Sequence, residues 1–175
     1  MAFTKRQSFS VELKDMSCNN SILHLIPQFK VCEIGVRRGD STLEFLKRGC
    51  FVFAIDPWED YSDYNEKNYD YDSDYKETME KIKDFKSYQI IRKKSDDALL
   101  DVPDDLDLVY IDGNHQYEFV KNDIDNYWEK LKSGGFLTGD DYSMQGPQDA
   151  VNDFLKNNPN LRMELFQNNW VIRKI

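Results

Sequence analysis

The amino-acid sequence predicts a doubly wound α/β domain in which helices cover both faces of a mostly parallel, seven-stranded sheet. From residue 31 onward, short apolar segments alternate with segments of helical periodicity. The apolar segments run without alternating polar residues, which is typical of parallel strands that are buried on both faces. The tail, residues 162–175, instead resembles two strands joined by a tight turn, which predicts an antiparallel C-terminal hairpin at one edge.

The predicted strands are short, and each ends close to polar or charged residues. Five of them precede the tail, at residues 31–36, 50–56, 88–93, 106–112 and 136–140. The hairpin supplies the sixth and the seventh. Asn168 and Asn169 lie where its turn is expected, because asparagine tolerates the positive φ that a tight turn requires.

Four helices are predicted between these strands, which gives the chain a Rossmann-like order of elements. The first begins at Ser41, whose hydroxyl can cap the helix while Glu44 returns a bond from three residues on, the pattern called a capping box. The second is predicted over 75–85. The third carries an apolar face through 120–131 and stops at the "KSGG" that follows, and the fourth starts with Pro147, a residue that favours the first helical turn.

We expect the 175 residues to form a single domain with two additions. Residues 1–29 form a predicted helical extension. Residues 59–75 form an acidic insert after the second strand, with seven acids, one lysine and five tyrosines. This composition is too polar for a core, so the insert is either a solvated loop or a lid whose tyrosines contact a polar substrate.

Composition and charge exclude several classes of function. The chain carries 23 basic and 32 acidic residues, a net charge of −9, and such a surface repels the phosphates of nucleic acids. No apolar run approaches the roughly 20 residues that cross a bilayer, and the first residues lack the apolar core of a signal peptide. Cys18, Cys32 and Cys50 show no metal-ligand spacing, which favours reduced thiols and a cytoplasmic protein. A homo-oligomer is compatible with the sequence.

Polar residues follow each of the first five strands, and parallel strands bring these positions to one edge of the sheet. A glycine turn follows the first strand. An acid follows the second strand, at the spacing expected of an acid that accepts hydrogen bonds from ribose hydroxyls. These features predict a nucleoside ligand, and the surrounding acids favour one that carries an amine or a sulfonium. The residues concerned are Glu33, Gly35, Gly39, Asp56, Ser95, Asp96, Asp112, Asp140 and Asp141.

Two other functions stay open at this point. A nucleotide-dependent oxidoreductase shares the glycine turn and the acid, although the G-x-x-x-G spacing of Gly35 and Gly39 differs from the G-x-G-x-x-G of dinucleotide folds. A non-catalytic module that binds a nucleoside cofactor is compatible with a short chain that has no separate substrate domain.

Four motifs in order resemble a known family. "EIGVRRGDST", "FAIDPWED", "VYIDGNHQYE" and "LKSGGFLTGDDY" are similar to class I S-adenosylmethionine-dependent methyltransferases. The similarity is greatest to small-molecule O-methyltransferases, which include the macrocin-type sugar methyltransferases, and it extends from about residue 30 to residue 156. The resemblance implies methylation of a small, polar, hydroxylated and sugar-like acceptor.

The resemblance also implies roles for individual residues. Those expected to bind the cofactor are Glu33, Gly35, Gly39 and Ser41 around its methionine portion, Asp56 at the ribose, Ser95 and Asp96 near the adenine, and Asp112. Some relatives bind Mg²⁺ through acids at the tips of the fourth and fifth strands, which here are Asp112, Asp140 and Asp141.

The fourth-strand motif departs from the metal-dependent sugar enzymes at one residue. Those enzymes resemble "D-G-D" after this strand, whereas this chain has Asn114, which cannot accept a proton. His115 follows it, and the ordinary pKa of an imidazole near neutrality makes His115 the expected base, with Asp112 beside it. His115 as a locally bonded residue of the first helical turn remains an alternative, and His24 is expected to be structural.

Overall fold

The computed structural model of the protein describes residues 28–59 and 70–175. The predicted N-terminal extension, with Cys18 and His24, falls almost wholly outside these residues, and so does the acidic insert from residue 60 to residue 69. Within the described part of the chain, no helix has both the length and the apolar character that a membrane crossing needs.

Seven strands form one sheet in the order β3-β2-β1-β4-β5-β7-β6. Strands β1 to β5 run parallel, and β7 lies antiparallel between β5 and β6. This arrangement confirms the predicted sheet and its antiparallel C-terminal hairpin. The strands are β1 (Lys30–Ile34), β2 (Phe51–Ile55), β3 (Tyr88–Ile91), β4 (Leu106–Ile111), β5 (Leu131–Gly139), β6 (Met163–Phe166) and β7 (Asn169–Arg173).

Helices cover both faces of the sheet, as the sequence predicts. Val31 belongs to the core on the side of α1 and α2, whereas its neighbour Cys32 belongs to the core on the side of α3 and α4. Successive side chains of a strand point to opposite faces, so strands buried on both sides read as continuous apolar runs. The helices are α1 (Asp40–Lys47), α2 (Tyr71–Ile82), α3 (Tyr117–Trp128) and α4 (Gln145–Asn157), with a short 3₁₀ turn at Asp96–Ala98.

The predicted capping box at the start of α1 is wrong. Helix α1 begins one residue earlier, and its N-cap is Gly39 in the left-handed conformation (φ 74°), without a side-chain cap. Ser41 instead donates its hydroxyl hydrogen bond to the buried carboxylate of Glu33, and Glu44 pairs with Lys47 at the surface. A buried carboxylate needs hydrogen-bond donors more than the helix end needs a hydroxyl, because water can satisfy the exposed end.

Strand β5 begins earlier than predicted, at Leu131, so "KSGG" belongs to the strand and not to a helix end. Helix α3 stops at Trp128, and Leu131 pairs with Leu106. The register of β4 and β5 shifts beyond this pair, and Gly134 takes a positive φ of 83° in the bulge. The hairpin turn also differs by one position, since Gln167 takes the positive φ (58°) in place of the asparagines that follow it.

Helix α2 starts four residues earlier than predicted, inside the acidic insert. Asp70 caps it by accepting a hydrogen bond from the backbone N–H of Ser73 at 3.0 Å. Asp74 is buried in the first turn, and the ring of Tyr75 packs edge-on against Trp58 with centroids 5.0 Å apart. The last part of the insert is therefore anchored to the domain, and the prediction of a lid concerns residues outside the described ones.

Candidate active site

One cavity of about 480 Å³ lies at the carboxyl ends of the parallel strands. This volume falls in the range of roughly 300–1,000 Å³ that is usual for small-molecule sites. All five strand tips contribute to its wall, with residues 34–38 after β1, 55–59 after β2, 93–96 after β3, 112–115 after β4, and Asp141 after β5. The structure therefore brings most of the sequence-predicted site residues to a single cavity.

The glycine turn after β1 is tightly packed against the tip of β4. Gly35 has φ 88°, and a Cβ atom added to it would lie 2.1 Å from the carbonyl oxygen of Asp112. Only glycine fits this position, because both the backbone conformation and the space exclude a side chain. Gly39 has a different role: a Cβ there would lie 2.9 Å from Thr78 in α2, and Gly39 is not part of the cavity wall formed by the described residues.

Asp56 fixes the same turn from the tip of β2. One carboxylate oxygen accepts hydrogen bonds from the backbone N–H groups of Val36 at 3.0 Å and Arg37 at 2.9 Å, and the other accepts from Trp58 N–H at 2.7 Å. Burial raises the pKa of Asp56, and these three hydrogen bonds oppose the shift. Asp56 lines the cavity, so a ribose at this position stays a prediction that is compatible with its location.

Glu33 lies beneath the cavity and not in its wall as the described residues form it. Its side chain is fully buried, and its two oxygens accept hydrogen bonds from Ser41 and from Thr42, the latter at 2.5 Å. Burial raises the pKa of Glu33 to about 7, against the effect of both hydroxyl groups. Direct contact of Glu33 with a ligand was expected from the sequence, but the first turn of α1 covers it, and Ser41 lines the cavity instead.

Basic residues also line the cavity, which the sequence analysis missed. Arg38 contacts the buried Asp74 through Nε at 2.9 Å, and Arg37 lies 3.7 Å from the same carboxylate. Lys93 and Lys94 line the cavity beside the tip of β3. The cavity therefore carries both signs of charge, and the signal that could have shown this is the "RR" inside the glycine turn.

Asp112, His115 and Asp141 form a cluster in the cavity wall. His115 Nε2 lies 3.0 Å from Asp141 Oδ2 and 3.7 Å from Asp112 Oδ1. One potential ligand atom from each residue lies within 4.8 Å of the others, and all three side chains are partly exposed. Burial raises the pKa of Asp112, while its hydrogen bond with His115 lowers it. An imidazole between two carboxylates can hold a proton or share a metal ion with them.

The hairpin at the far edge of the sheet holds Asp141 in place. Asn168 donates its side-chain N–H to Asp141 Oδ1 at 3.0 Å and accepts the backbone N–H of Ser143 at 2.8 Å. Asp141 itself has a positive φ of 56°, which turns its side chain toward His115. Asp140 lies outside the cluster and accepts the backbone N–H of Asp141 at 2.7 Å. Of the three predicted metal ligands, the structure thus places Asp112 and Asp141 beside His115 and leaves Asp140 outside the cluster, and metal binding stays a prediction. Asn168 holds Asp141 in place, a role that the sequence did not indicate.

Helix α3 holds the segment after β3. Asp96 Oδ1 accepts side-chain N–H groups from Asn122 at 2.7 Å and Asn126 at 3.2 Å, and the carbonyl oxygen of Ser95 accepts the hydroxyl of Tyr127 at 2.7 Å. Ser95 and Asp96 both line the cavity, as the sequence predicts for residues near the nucleoside. The Oδ1 atom of Asp96, however, already accepts hydrogen bonds from these two side-chain amides.

Asp123 is a cavity residue that the sequence analysis did not single out. It is buried, it lines the cavity, and its side chain forms a hydrogen bond with that of Ser95. Burial raises the pKa of Asp123 to about 7. The available signal was its place on the same helical face as Val120, Ile124 and Tyr127, where an acid interrupts an apolar stripe.

A family model described as "Methyltransferase domain" matches residues 32–142, which is more than half of the chain. Three solved structures each have a TM-score of 0.66 to this chain. Their sequence identities are low, so the similarity shows a shared fold. They are an rRNA methylase from Streptococcus thermophilus (13% identity, 98% of this chain and 99% of that one), the O-methyltransferase NovP (20%, 93% and 79%), and SMU.1697c from Streptococcus mutans in complex with SAH (20%, 99% and 100%).

A curated relative, protein R132 of Acanthamoeba polyphaga mimivirus, is 37% identical over 57 residues. This segment is 30% of the present chain and 26% of R132, so the match covers about a quarter of that relative's length.

Proposed function

Since the chain belongs to the methyltransferase-domain family, we propose that it transfers a methyl group from S-adenosylmethionine to an oxygen of a small, polar, hydroxylated acceptor. The observation that carries this proposal is the convergence of five strand tips on one cavity that has Asp112, His115 and Asp141 in its wall. Among such acceptors, the sequence motifs favour a sugar-like one, as in the macrocin-type enzymes that they resemble. Similarity in fold to the O-methyltransferase NovP supports it.

The residues of the cavity suit the cofactor. S-adenosylmethionine supplies the methyl group, and the protein has to bind its base, its ribose and its charged amino-acid portion. Asp56 and Ser41 offer oxygens at the tips of β2 and β1, and Arg37 and Arg38 offer positive charge near the glycine turn. A volume of about 480 Å³ accommodates a molecule of this size.

His115 is the group that we assign to proton removal from the acceptor hydroxyl. Its side chain lines the cavity and is 22% exposed, but Nε2 is buried against the two carboxylates, so a bound hydroxyl would have to reach the ring at Nδ1. The two carboxylates near Nε2 stabilise the imidazolium that forms when His115 accepts the proton, because opposite charges at 3–4 Å attract strongly in a partly desolvated site. Asn168 fixes Asp141 and thereby the imidazole.

We propose the same cluster as an alternative site for a divalent metal ion, and the ion that the sequence motifs imply is Mg²⁺. Asp112 and Asp141 offer the hard oxygen ligands that this ion prefers, and His115 offers a nitrogen. A bound ion would acidify and orient a hydroxyl, which is a second way to activate the acceptor. In that case His115 would be a ligand and not the base, so the two roles make different predictions.

The cofactor is tested by thermal denaturation with S-adenosylhomocysteine, S-adenosylmethionine, NAD and ATP, each with and without Mg²⁺. A ligand that binds the native state raises its melting temperature by mass action. We expect the two adenosyl compounds to raise it and NAD to have no effect. Asp56→Ala should weaken S-adenosylhomocysteine binding at least about tenfold in calorimetry, since it removes ligand and turn contacts together. The exposed Asp97→Ala variant, outside the cavity wall, is the control.

Turnover is tested with S-adenosylmethionine carrying a radiolabelled methyl group and a panel of hydroxylated small molecules, sugars among them. We expect label to enter an acceptor, His115→Gln to reduce the rate about 100-fold, and wild-type activity to persist in chelator if His115 is the base. Loss of activity in chelator, with recovery on adding Mg²⁺, would assign the cluster to the metal instead. Binding of S-adenosylhomocysteine without transfer to any acceptor would favour a non-catalytic module.

A further inference from the structure

The first turn of helix α4 lies directly against the main chain of the segment that carries His115. Helix α4 begins at Gln145, so Gly146 belongs to this turn. A Cβ atom added to Gly146 would lie 2.1 Å from the carbonyl oxygen of His115 and 2.9 Å from the backbone nitrogen of Tyr117. The helix therefore approaches this segment more closely than any residue with a side chain would allow.

The helix itself does not explain a glycine at this position. Within a helix, glycine is less favourable than alanine by up to about 1 kcal/mol. Gly146 is not among the glycines of the described residues that take a positive φ, so its backbone conformation would accept alanine. The atoms that exclude a Cβ belong to the backbone at His115 and Tyr117, and they cannot turn aside as a flexible side chain can. The close contact with this segment is therefore the reason for the glycine.

Pro147 makes a second contact with the same segment. It is buried, and it lines a small cavity of about 10 Å³ together with Asn114, His115 and Trp170. A space of this size holds about one water molecule, so the residues around it lie close to one another. The proline ring fixes φ and makes the first turn of the helix stiff. Gly146 and Pro147 thus form a rigid surface behind His115.

The connection between β5 and α4 also holds the ring of His115. Asp141 lies in this connection, and its Oδ2 atom is 3.0 Å from His115 Nε2. Met144 links Asp141 to the helix, because its N–H donates to the carbonyl oxygen of Asp141 at 2.8 Å and its own carbonyl accepts the N–H of Gln148 at 3.1 Å. One short stretch of chain therefore contacts His115 at the imidazole and at the main chain.

We propose that Gly146 and Pro147 are positioning residues that hold His115 at the place in the cavity that methyl transfer requires. The inference rests on the proposed function, and it applies whether His115 acts as the base or as a metal ligand. Both residues lie outside the wall of the large cavity as the described residues form it, so they act through His115. A displacement of about 1 Å of a reacting group can reduce a rate by about 100-fold.

Gly146→Ala tests the proposal, because the main chain at His115 has to move to make room for the added Cβ atom. Turnover in the radiolabelled methyl-transfer assay should fall at least about tenfold. The affinity for S-adenosylhomocysteine in calorimetry should stay within about twofold of the wild type, since the glycine turn and Asp56 are on other loops. Gln145→Ala is the matched control: Gln145 is exposed in the same turn and bonds Asp149 of its own helix, so both values should be unchanged.

NMR of the histidine rings gives a second measurement that needs no turnover. The chain has two histidines, so His115→Gln assigns the imidazole signal of His115. This signal should shift in Gly146→Ala and in Pro147→Ala, and it should stay in place in Gln145→Ala. Absence of methyl transfer by the wild type would overturn the proposed function, and with it the catalytic part of this inference. The NMR comparison would then still decide whether the first turn of α4 positions His115.

Three results would overturn the proposal. They are wild-type turnover in Gly146→Ala, an imidazole signal that does not move in this variant, and equal losses of turnover and of S-adenosylhomocysteine affinity, which would indicate a general structural role. If Gly146→Ala does not fold, Pro147→Ala decides in its place, because it removes the ring beside His115 and adds no contact. We expect that variant to lose at least about threefold in turnover at wild-type affinity, and an unmoved imidazole signal in it would overturn the proposal.

Discussion

The buried carboxyl group of Glu33 makes the stability of the protein depend on pH, and Glu33→Gln should remove that dependence. Glu33 is fully buried between β1 and α1, where Ser41 and Thr42 donate hydrogen bonds to it. Glutamine has the same shape and no charge, and either hydroxyl group can rotate to accept from its amide. The substitution therefore changes ionisation with little change in packing.

The magnitude follows from the pKa of Glu33, which burial raises from 4.5 to about 7. At a pH below 4.5 the carboxyl is protonated in both the folded and the unfolded chain, so it carries no ionisation penalty. As the pH rises from 4.5 to 7, the unfolded chain releases the proton while the folded chain keeps it, and the free energy of unfolding falls. Above pH 7 the loss is constant at about 3 kcal/mol, the product of the shift and 1.36 kcal/mol per unit.

Urea unfolding of wild type and Glu33→Gln, followed by tryptophan fluorescence, measures this effect. The measurements are made at about pH 5.5 and about pH 8, both away from the sequence pI near 4.7. Of the loss of about 3 kcal/mol in the free energy of unfolding, about 2 kcal/mol occurs between these two pH values. The free energy of unfolding of the wild type should therefore fall by about 2 kcal/mol more than that of the variant when the pH is raised from the lower to the higher value. Other buried carboxyls, Asp123 among them, contribute equally to both proteins and cancel in the comparison.

Glu164→Gln makes the same chemical change on the exposed face of the edge strand β6, and its stability should follow that of the wild type at both pH values. Parallel pH dependence of wild type and Glu33→Gln would contradict this prediction, because it would mean that Glu33 ionises in the folded protein as easily as in the unfolded chain.

Three further predictions concern the support of the site, and Gly134→Ala, away from the site, is the control for the first. Gly35→Ala should lower the free energy of unfolding by at least about 2 kcal/mol, since its Cβ would lie 2.1 Å from a carbonyl oxygen. In Gly134→Ala the nearest atom is 3.8 Å away, so only about 1 kcal/mol of backbone strain is expected in the same urea assay. Thr78→Val removes a buried donor to the glycine turn and should cost about 1 kcal/mol by urea unfolding. Asn168→Ala frees Asp141 and should reduce turnover roughly tenfold in the methyl-transfer assay, while calorimetry shows unchanged S-adenosylhomocysteine affinity.

Local sequence patterns were sufficient to predict the helices and strands and many of the residues that line the cavity. Continuous apolar runs predicted β1 to β5, because a strand that is buried on both faces has apolar residues at successive positions. The strand-tip rule then placed Asp56, Asp112 and His115 at one edge, and the structure has them in one cavity wall. The boundaries were less well predicted where a distant residue competes for a local group. Ser41 is the example, since it donates to Glu33 and not to the end of its own helix.

The choice between neighbouring acids required the tertiary structure. The sequence motifs offer both Asp140 and Asp141 and favour Asp141 only by its place before Tyr142. In the structure, Asp141 has a positive φ and a hydrogen bond to Asn168, 27 residues away, and only Asp141 lies beside His115. A pattern of adjacent residues contains no information about a partner on another strand.

Residue patterns along the chain were enough to predict the order and type of the elements, the edge of the sheet at which chemistry is expected, and the family to which the motifs belong. Which carboxylates face the cavity, in contrast, depends on how distant elements pack. Glu33 lies beneath it, whereas Asp123, hidden in an apolar helical face, lines its wall together with Asp96, which also fastens a loop to α3. This difference arises because secondary structure depends on the periodicity of neighbouring side chains, whereas the exposure and the ionisation of an acid depend on the residues that distant elements place around it.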